Sequence, residues 1–235
     1  MKANLQRQTP SPSPDRQGFL DGGCLHEIHC ANADWTAAMT FSLAEAFSAG
    51  DGPILLVGMK GRPRPAAQLY AEGMAGLGLS PSRLVWVETS NERDMLRAAL
   101  DAARSSAVGG IIVASEGRLA DYGLTASRRL ALALEGKAAR VILLRADAEP
   151  RPSAAQSRWR VSSAPSRPLE AKAPGMPALD VELLRRRGGP AGQRFTLVWD
   201  LQHGRFVEAP VPGDLAALPV GGTGAAPASG HLRAA

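Results

Sequence analysis

Cys24, His26, His29 and Cys30 bring two thiols and two imidazoles into one short stretch, and these are the donor types of a tetrahedral zinc site. Their spacing works against it. On an extended strand, residues 24, 26, 28 and 30 share one face while His29 points to the other. Four ligands so divided do not converge, so we read packed cysteines and strand histidines and expect no metal.

The next candidate begins at the same Cys30. The segment Cys30-Ala-Asn-Ala-Asp-Trp35-Thr36-Ala37 stands between an apolar run and a helical pattern, where a phosphate-binding loop opens many α/β domains. A working loop reads G-x-x-x-x-G-K-[ST]. Glycines let backbone amides close on phosphate, the lysine supplies charge, and the hydroxyl holds magnesium. Here Cys30 and Trp35 occupy the glycine slots, Thr36 the lysine slot and Ala37 the hydroxyl slot. The frame is kept and its chemistry is absent, so no nucleotide cofactor is expected. No nucleophile motif of the G-x-S-x-G kind occurs either, and the chain is read as a non-enzyme.

The third candidate is charge. Arg185-Arg186-Arg187 runs into the glycine-rich turn Gly188-Gly-Pro-Ala-Gly192. Arg158, Arg160, Arg167 and Lys172 lie in the same part of the chain, with Trp159 between two of the arginines. Such a set could contact phosphates of single-stranded DNA, with one ring for stacking, or form a solvated turn. Strand alternation puts Arg158 and Arg160 on one face and Trp159 on the other, so Trp159 is expected in the core. Trp35, Trp86 and Trp199 are assigned to the core by position.

Composition bounds these readings. The 235 residues carry 27 Lys+Arg against 22 Asp+Glu, a net charge of +5. Residues 1–150 balance, with 16 of each sign, whereas residues 151–195 carry 9 basic and 3 acidic side chains. The excess in one segment favours a basic surface for nucleic acid or an acidic partner. Two cysteines make no disulfide framework, no signal peptide is evident, and no apolar run is long enough to span a bilayer. A cytoplasmic protein without a membrane partner is the expectation.

The elements that must position these residues follow from periodicity. Short apolar runs at Leu25–His29, Ile54–Gly58, Leu84–Glu88, Gly110–Ala114 and Arg140–Leu144 predict strands buried on both faces. Between them, helices are predicted at Asp34–Ser48, Pro65–Ala75, Asn91–Ser105 and Leu124–Glu135, with Asp34 and Ser90 as caps of the first and third. That alternation calls for a parallel sheet with right-handed crossovers. Beyond about residue 156 the pattern becomes polar–apolar at Arg158–Val161, Ala178–Arg186, Gln193–Asp200 and Arg205–Val207, which predicts an added antiparallel hairpin region. Residues 1–18 and 209–235, rich in Pro, Gly and small residues, are read as disordered tails around one domain at 19–208.

Gly23–Ala49 with the later strands resembles the RecA-like ATPase core. Three segments resemble the ImuA family more specifically: Leu124-Thr-Ala-Ser-Arg-Arg-Leu-Ala-Leu-Ala-Leu-Glu, Ser153-Ala-Ala-Gln-Ser-Arg-Trp-Arg-Val, and Pro177-Ala-Leu-Asp-Val-Glu-Leu-Leu-Arg-Arg-Arg-Gly with Phe195–Asp200. The resemblance covers about residues 20–200. It implies an α/β RecA-like fold with a mostly parallel sheet, and a nucleoid-associated accessory protein of SOS-induced translesion synthesis. The implied partners are RecA, the Y-family-like protein ImuB and an error-prone replicative-type polymerase. In a RecA-like core the strand Gly110–Ala114 would end in a magnesium-binding acid. Ala114 stands there, and Glu116 follows as a loop carboxylate. The resemblance also implies that the Arg185–Arg187 turn faces a neighbour's ATP. Direct binding of single-stranded DNA, an ATPase with an atypical loop, and a SulA-like inhibitor of cell division are the alternatives.

Overall fold

The computed structural model describes residues 18–60, 69–170 and 173–210. Strands β1 (Leu25–Cys30), β2 (Ile54–Met59), β3 (Leu84–Thr89), β4 (Gly110–Glu116), β5 (Arg140–Ala146), β6 (Ser157–Ala164), β7 (Ala178–Arg186), β8 (Arg194–Asp200) and β9 (Arg205–Glu208) form one sheet. Its order is β3-β2-β4-β5-β1-β6-β7-β8-β9. The pairs from β3 to β6 are parallel and those from β6 to β9 antiparallel. Strand β6, assigned by its alternation to the antiparallel region, is therefore the junction. It extends the parallel core beside β1 and opens the hairpins with β7.

Helix α1 (Trp35–Phe47) covers one face of the sheet. Helices α3 (Glu92–Arg104) and α4 (Leu124–Ala133) cover the other, and α2 (Ala71–Gly76) is a short turn before β3. Strands β1 and β5 are buried at every position, as strands covered on both faces must be. Around α1 the core gathers Phe41, Leu43, Trp159, Leu183, Trp199 and Phe206. Trp159 and Trp35 are buried there as expected, and Trp159 Nε1 donates to Ser157 Oγ at 2.8 Å.

Several boundaries differ from expectation. Asn91, not Ser90, caps α3: its Oδ1 accepts the Asp94 N–H at 2.9 Å, and an amide side chain serves there as well as a hydroxyl. Asp34 precedes α1 but makes no cap bond, because its carboxylate is committed to Ser163. The second helix begins at Ala71, while Pro65 lies outside the described residues, as does Lys172. Trp86 is 42% exposed rather than core, because β3 is an edge strand. Apart from Gly18, Ala209 and Pro210, the two tails also lie outside the described residues.

Candidate functional site

The loop after β1 sits at the carboxyl end of the parallel strands, where ligands of open α/β sheets bind. Its backbone turns through one 3-10 turn, Asn32–Asp34, directly into α1. Each glycine slot has a structural occupant. Cys30 is the last residue of β1, and Trp35 is the buried first residue of α1. Thr36 is exposed in the first turn of the helix and Ala37 is packed beneath it.

Three amides of this loop are used internally. Asn32 N–H donates to Asp147 Oδ1 at 3.0 Å, Asp34 N–H to the Ala31 carbonyl at 2.9 Å, and Trp35 N–H to the Asn32 carbonyl. Asn32 Nδ2 donates to Glu116 Oε1 at 2.8 Å. Strand β4 runs on to Glu116, which lies opposite Ala146 of β5. Glu116 is thus the strand's terminal acid rather than a loop carboxylate, and the expected end at Ala114 is two residues short. Asp34 Oδ1 accepts both the N–H and the hydroxyl of Ser163 at 2.8 Å, tying the helix entry to β6. Burial first, then the Asp34 and Asp147 carboxylates, push the Cys30 thiol up to about 12. The two carboxylates, the smaller part of that shift, would likewise disfavour a phosphate beside them. The loop is packed with carboxylates at the position where a phosphate loop presents donors.

The histidines and cysteines do not gather. His26 is fully buried, with Nδ1 2.7 Å from Ser157 Oγ and Nε2 2.8 Å from the Asp21 carbonyl. His29 Nδ1 lies 2.9 Å from the Ala148 carbonyl. Among the described residues no three His, Cys, Asp or Glu side chains form a metal-holding group.

The arginines divide by what covers them. Arg158 and Arg160 leave the same side of β6, but residues 151–155 close over Arg158. Its Nε donates to Glu27 Oε2 at 2.6 Å, and its Nη2 reaches Ser153 Oγ at 3.3 Å and the Arg151 carbonyl. Tyr122 Oη donates to the other oxygen of Glu27 at 2.6 Å. Burial alone would raise the Glu27 carboxyl; its hydrogen bonds and the Arg158 charge outweigh that and hold it at about 2. Arg158, expected on a phosphate-contacting surface, is therefore a buried partner of β1. Arg160 is exposed and shares Glu182 with Arg194, at 2.9 and 3.2 Å. Arg185 turns inward to the Ala155 and Ser153 carbonyls at 3.3 and 3.5 Å, and Arg186 pairs with Asp21 at 3.0 Å. Arg187 is exposed, and its side chain makes no ion pair among the described residues. Gly188 follows at φ +71°, which a side chain rarely adopts.

Arg186 lies opposite Ser157, beside the start of β1, whereas the degenerate loop follows the end of β1. Arginine turn and loop therefore sit at opposite ends of the sheet, about 16 Å apart along a strand rising 3.3 Å per residue. Sequence reasoning missed Glu27, Asp21 and Asp147, and it read Glu116 only as a loop carboxylate. All four are distant in the chain from the residues they engage, and only topology brings them in.

Two curated relatives are both named "Protein ImuA", from Caulobacter vibrioides strains NA1000 / CB15N and ATCC 19089 / CB 15. Each is 34% identical over 250 aligned positions, which cover 94% of this chain and 98% of the relative. No family model matches the chain. Among solved structures, the RadB recombinase superposes with a TM-score of 0.54 at 15% identity, covering 81% of this chain and 92% of that one. That likeness carries the fold: a RecA-like core, here with the mixed nine-stranded sheet. Among the described residues no helix is long and apolar enough to cross a membrane.

Proposed function

The chain belongs to the ImuA family, and from that premise we propose that it is a non-enzymatic adaptor of damage-induced mutagenic DNA synthesis. In this reading it links RecA to ImuB and an error-prone replicative-type polymerase in the cytoplasm. It offers no nucleotide of its own and presents Arg187 to the ATP of a neighbouring RecA.

The observation that carries this reading is the pairing of a self-occupied loop with an exposed arginine at the far end of the same sheet. Asp147 and Glu116 hold the donors of Asn32, so a triphosphate would meet carboxylates instead of amides. A head-to-tail assembly needs its two complementary surfaces at different places on the subunit. Arg187 fulfils one half of that requirement, and loss of the loop removes the other. The chain would then join one end of a RecA filament and cap it. A guanidinium placed on a neighbour's phosphates stabilises their charge.

Direct binding of single-stranded DNA has weaker support. Glu27, Asp21 and Glu182 take up Arg158, Arg186, Arg160 and Arg194, which leaves fewer cations for a phosphate track than the segment's charge suggests. The test is a pull-down of the purified chain against RecA and ImuB, with and without ATP and single-stranded DNA. Capture of RecA that requires ATP supports the adaptor. Capture by DNA alone, with steep loss as salt rises, supports the DNA-binding alternative.

A further inference from the structure

Helices α3 and α4 leave between them a groove of about 540 Å³ on the face of the sheet opposite α1. Leu96, Leu100, Ala126 and Leu130 line its floor. Met95, Ala99, Ala102 and Ala103 bury the other side of α3 against the sheet. Leu130 belongs to that core, whereas Leu96, Leu100 and Ala126 pack on its margin and stay partly exposed to the groove. Arg93, Arg97 and Arg129 stand on its rim, and none of the three makes an ion pair among the described residues. Arg104 at the far end shares Asp101 at 3.3 Å, with both side chains largely exposed. The other end is braced: Glu92 Oε2 accepts the N–H groups of Ala120 and Asp121 at 2.6 and 3.2 Å, fixing the loop that leads to α4.

From Arg93 to Arg104 the rim extends about 16 Å at 1.5 Å per residue, three turns of a docked helix. Apolar side chains at the bottom of a groove and unpaired cations at its edge match an amphipathic helix with leucines on one face and carboxylates flanking them. A nucleic-acid backbone fits less well. It would place phosphates over leucines and beside Asp101 and Asp121, which also line the groove. The chain's own remaining segments do not supply the occupant, since residues 1–17, 61–68, 171–172 and 211–235 together contain two acidic side chains, Asp15 and Asp214.

We propose that the α3–α4 groove is a docking site for an acidic, leucine-bearing helical segment of a protein partner. It is separate from the arginine turn, and either surface could operate without the other. The test uses a fluorescein-labelled designed helix with leucines at i, i+4, i+7 and i+11 and glutamates beside them. Binding to the full chain is read by anisotropy, with molecular mass followed by light scattering. The expected result is saturable binding in the micromolar range, weakened at least tenfold by Arg97→Glu/Arg129→Glu and by replacing the peptide's leucines with alanine, while the variant melts as the parent does. Any affinity for a single-stranded oligonucleotide should be the same in parent and variant. The proposal is overturned if the peptide fails to bind at millimolar concentration or binds the variant equally. It is also overturned if the variant loses oligonucleotide instead, or if the groove proves to hold a second copy of the chain, seen as a dimer that the double substitution dissociates.

Discussion

The Asp147 carboxylate accepts the backbone N–H of Asn32 at 3.0 Å, so an acid from the end of β5 occupies the amide that a phosphate would need after β1. Asp147 adopts φ +46°, a conformation few non-glycine residues take, and the bond of its own N–H to the Cys30 carbonyl at 2.9 Å locks it there.

The first prediction follows from that bond. A site with a dissociation constant of one-hundredth of the ligand concentration would stabilise the fold by about 2.7 kcal/mol. Differential scanning fluorimetry with magnesium and ATP at millimolar concentration should show no shift in Tm. A rise of several degrees would restore the ATPase alternative.

Arg158→Ala should act on stability and not on a surface. Removing one partner of a buried ion pair costs about 3–5 kcal/mol, because the other charge stays buried and unpaired. Chemical denaturation should register that loss through Glu27. Replacing both residues by apolar side chains of similar volume should recover part of it. A variant as stable as the parent would show that the pair is not closed in solution.

Acid should destabilise the fold in two windows. Burial first, and nearby cations after it, lower His26 from 6.5 to about 4. The unfolded chain therefore takes up this proton below 6.5 while the folded chain stays neutral. Stability falls as pH drops from 6.5 to 4, by about 3 kcal/mol at 1.36 kcal/mol per unit. Glu27, held at about 2 against 4.5 unfolded, contributes stability that is present above 4.5 and lost as pH falls from 4.5 towards 2. Urea titrations at pH 7, 5.5 and 4.5 should show the first decline, and His26→Gln should flatten it.

Glu45→Ala should loosen the entry to the domain. Its two carboxylate oxygens accept the N–H groups of half-buried Phe19 and buried Leu20 at 3.0 and 2.9 Å and pair with buried Arg140 at 2.8 Å. Hydrogen exchange at residues 19 and 20 should accelerate, with a global loss of about 3–5 kcal/mol. Unchanged exchange at those amides would contradict this role for Glu45.

What the sequence revealed depended on whether a feature was local. The inner parallel strands were legible because a doubly covered strand must be apolar along its length, as Val141–Leu144 is; β3, expected to be buried on both faces, is an edge strand with Val85, Trp86 and Glu88 exposed. The failed phosphate loop was legible because Cys30, Trp35, Thr36 and Ala37 fall at fixed offsets from one another. The state of the arginines was not. Arg158 and Arg160 are two residues apart and share a face, yet one is buried against Glu27 and the other is exposed beside Glu182. What separates them is the cover of residues 151–155 and a strand partner 131 residues away in the chain. The same holds for Arg186 and Asp21, whose contact depends on β7 lying across β6 from the start of β1. By contrast, the spacing of Arg93, Arg97 and Arg104 around two leucines is a local helical signal, and it marks the groove face directly.

The central claim, that a chain without nucleotide chemistry gives Arg187 to a neighbour's ATP, is tested most directly by titrating it onto RecA filaments held on single-stranded DNA by a non-hydrolysable ATP analogue. The parent should bind, and Arg187→Ala should bind at least tenfold more weakly at equal stability, a difference of about 1.4 kcal/mol. Equal affinity of parent and Arg187→Ala for those filaments would contradict it.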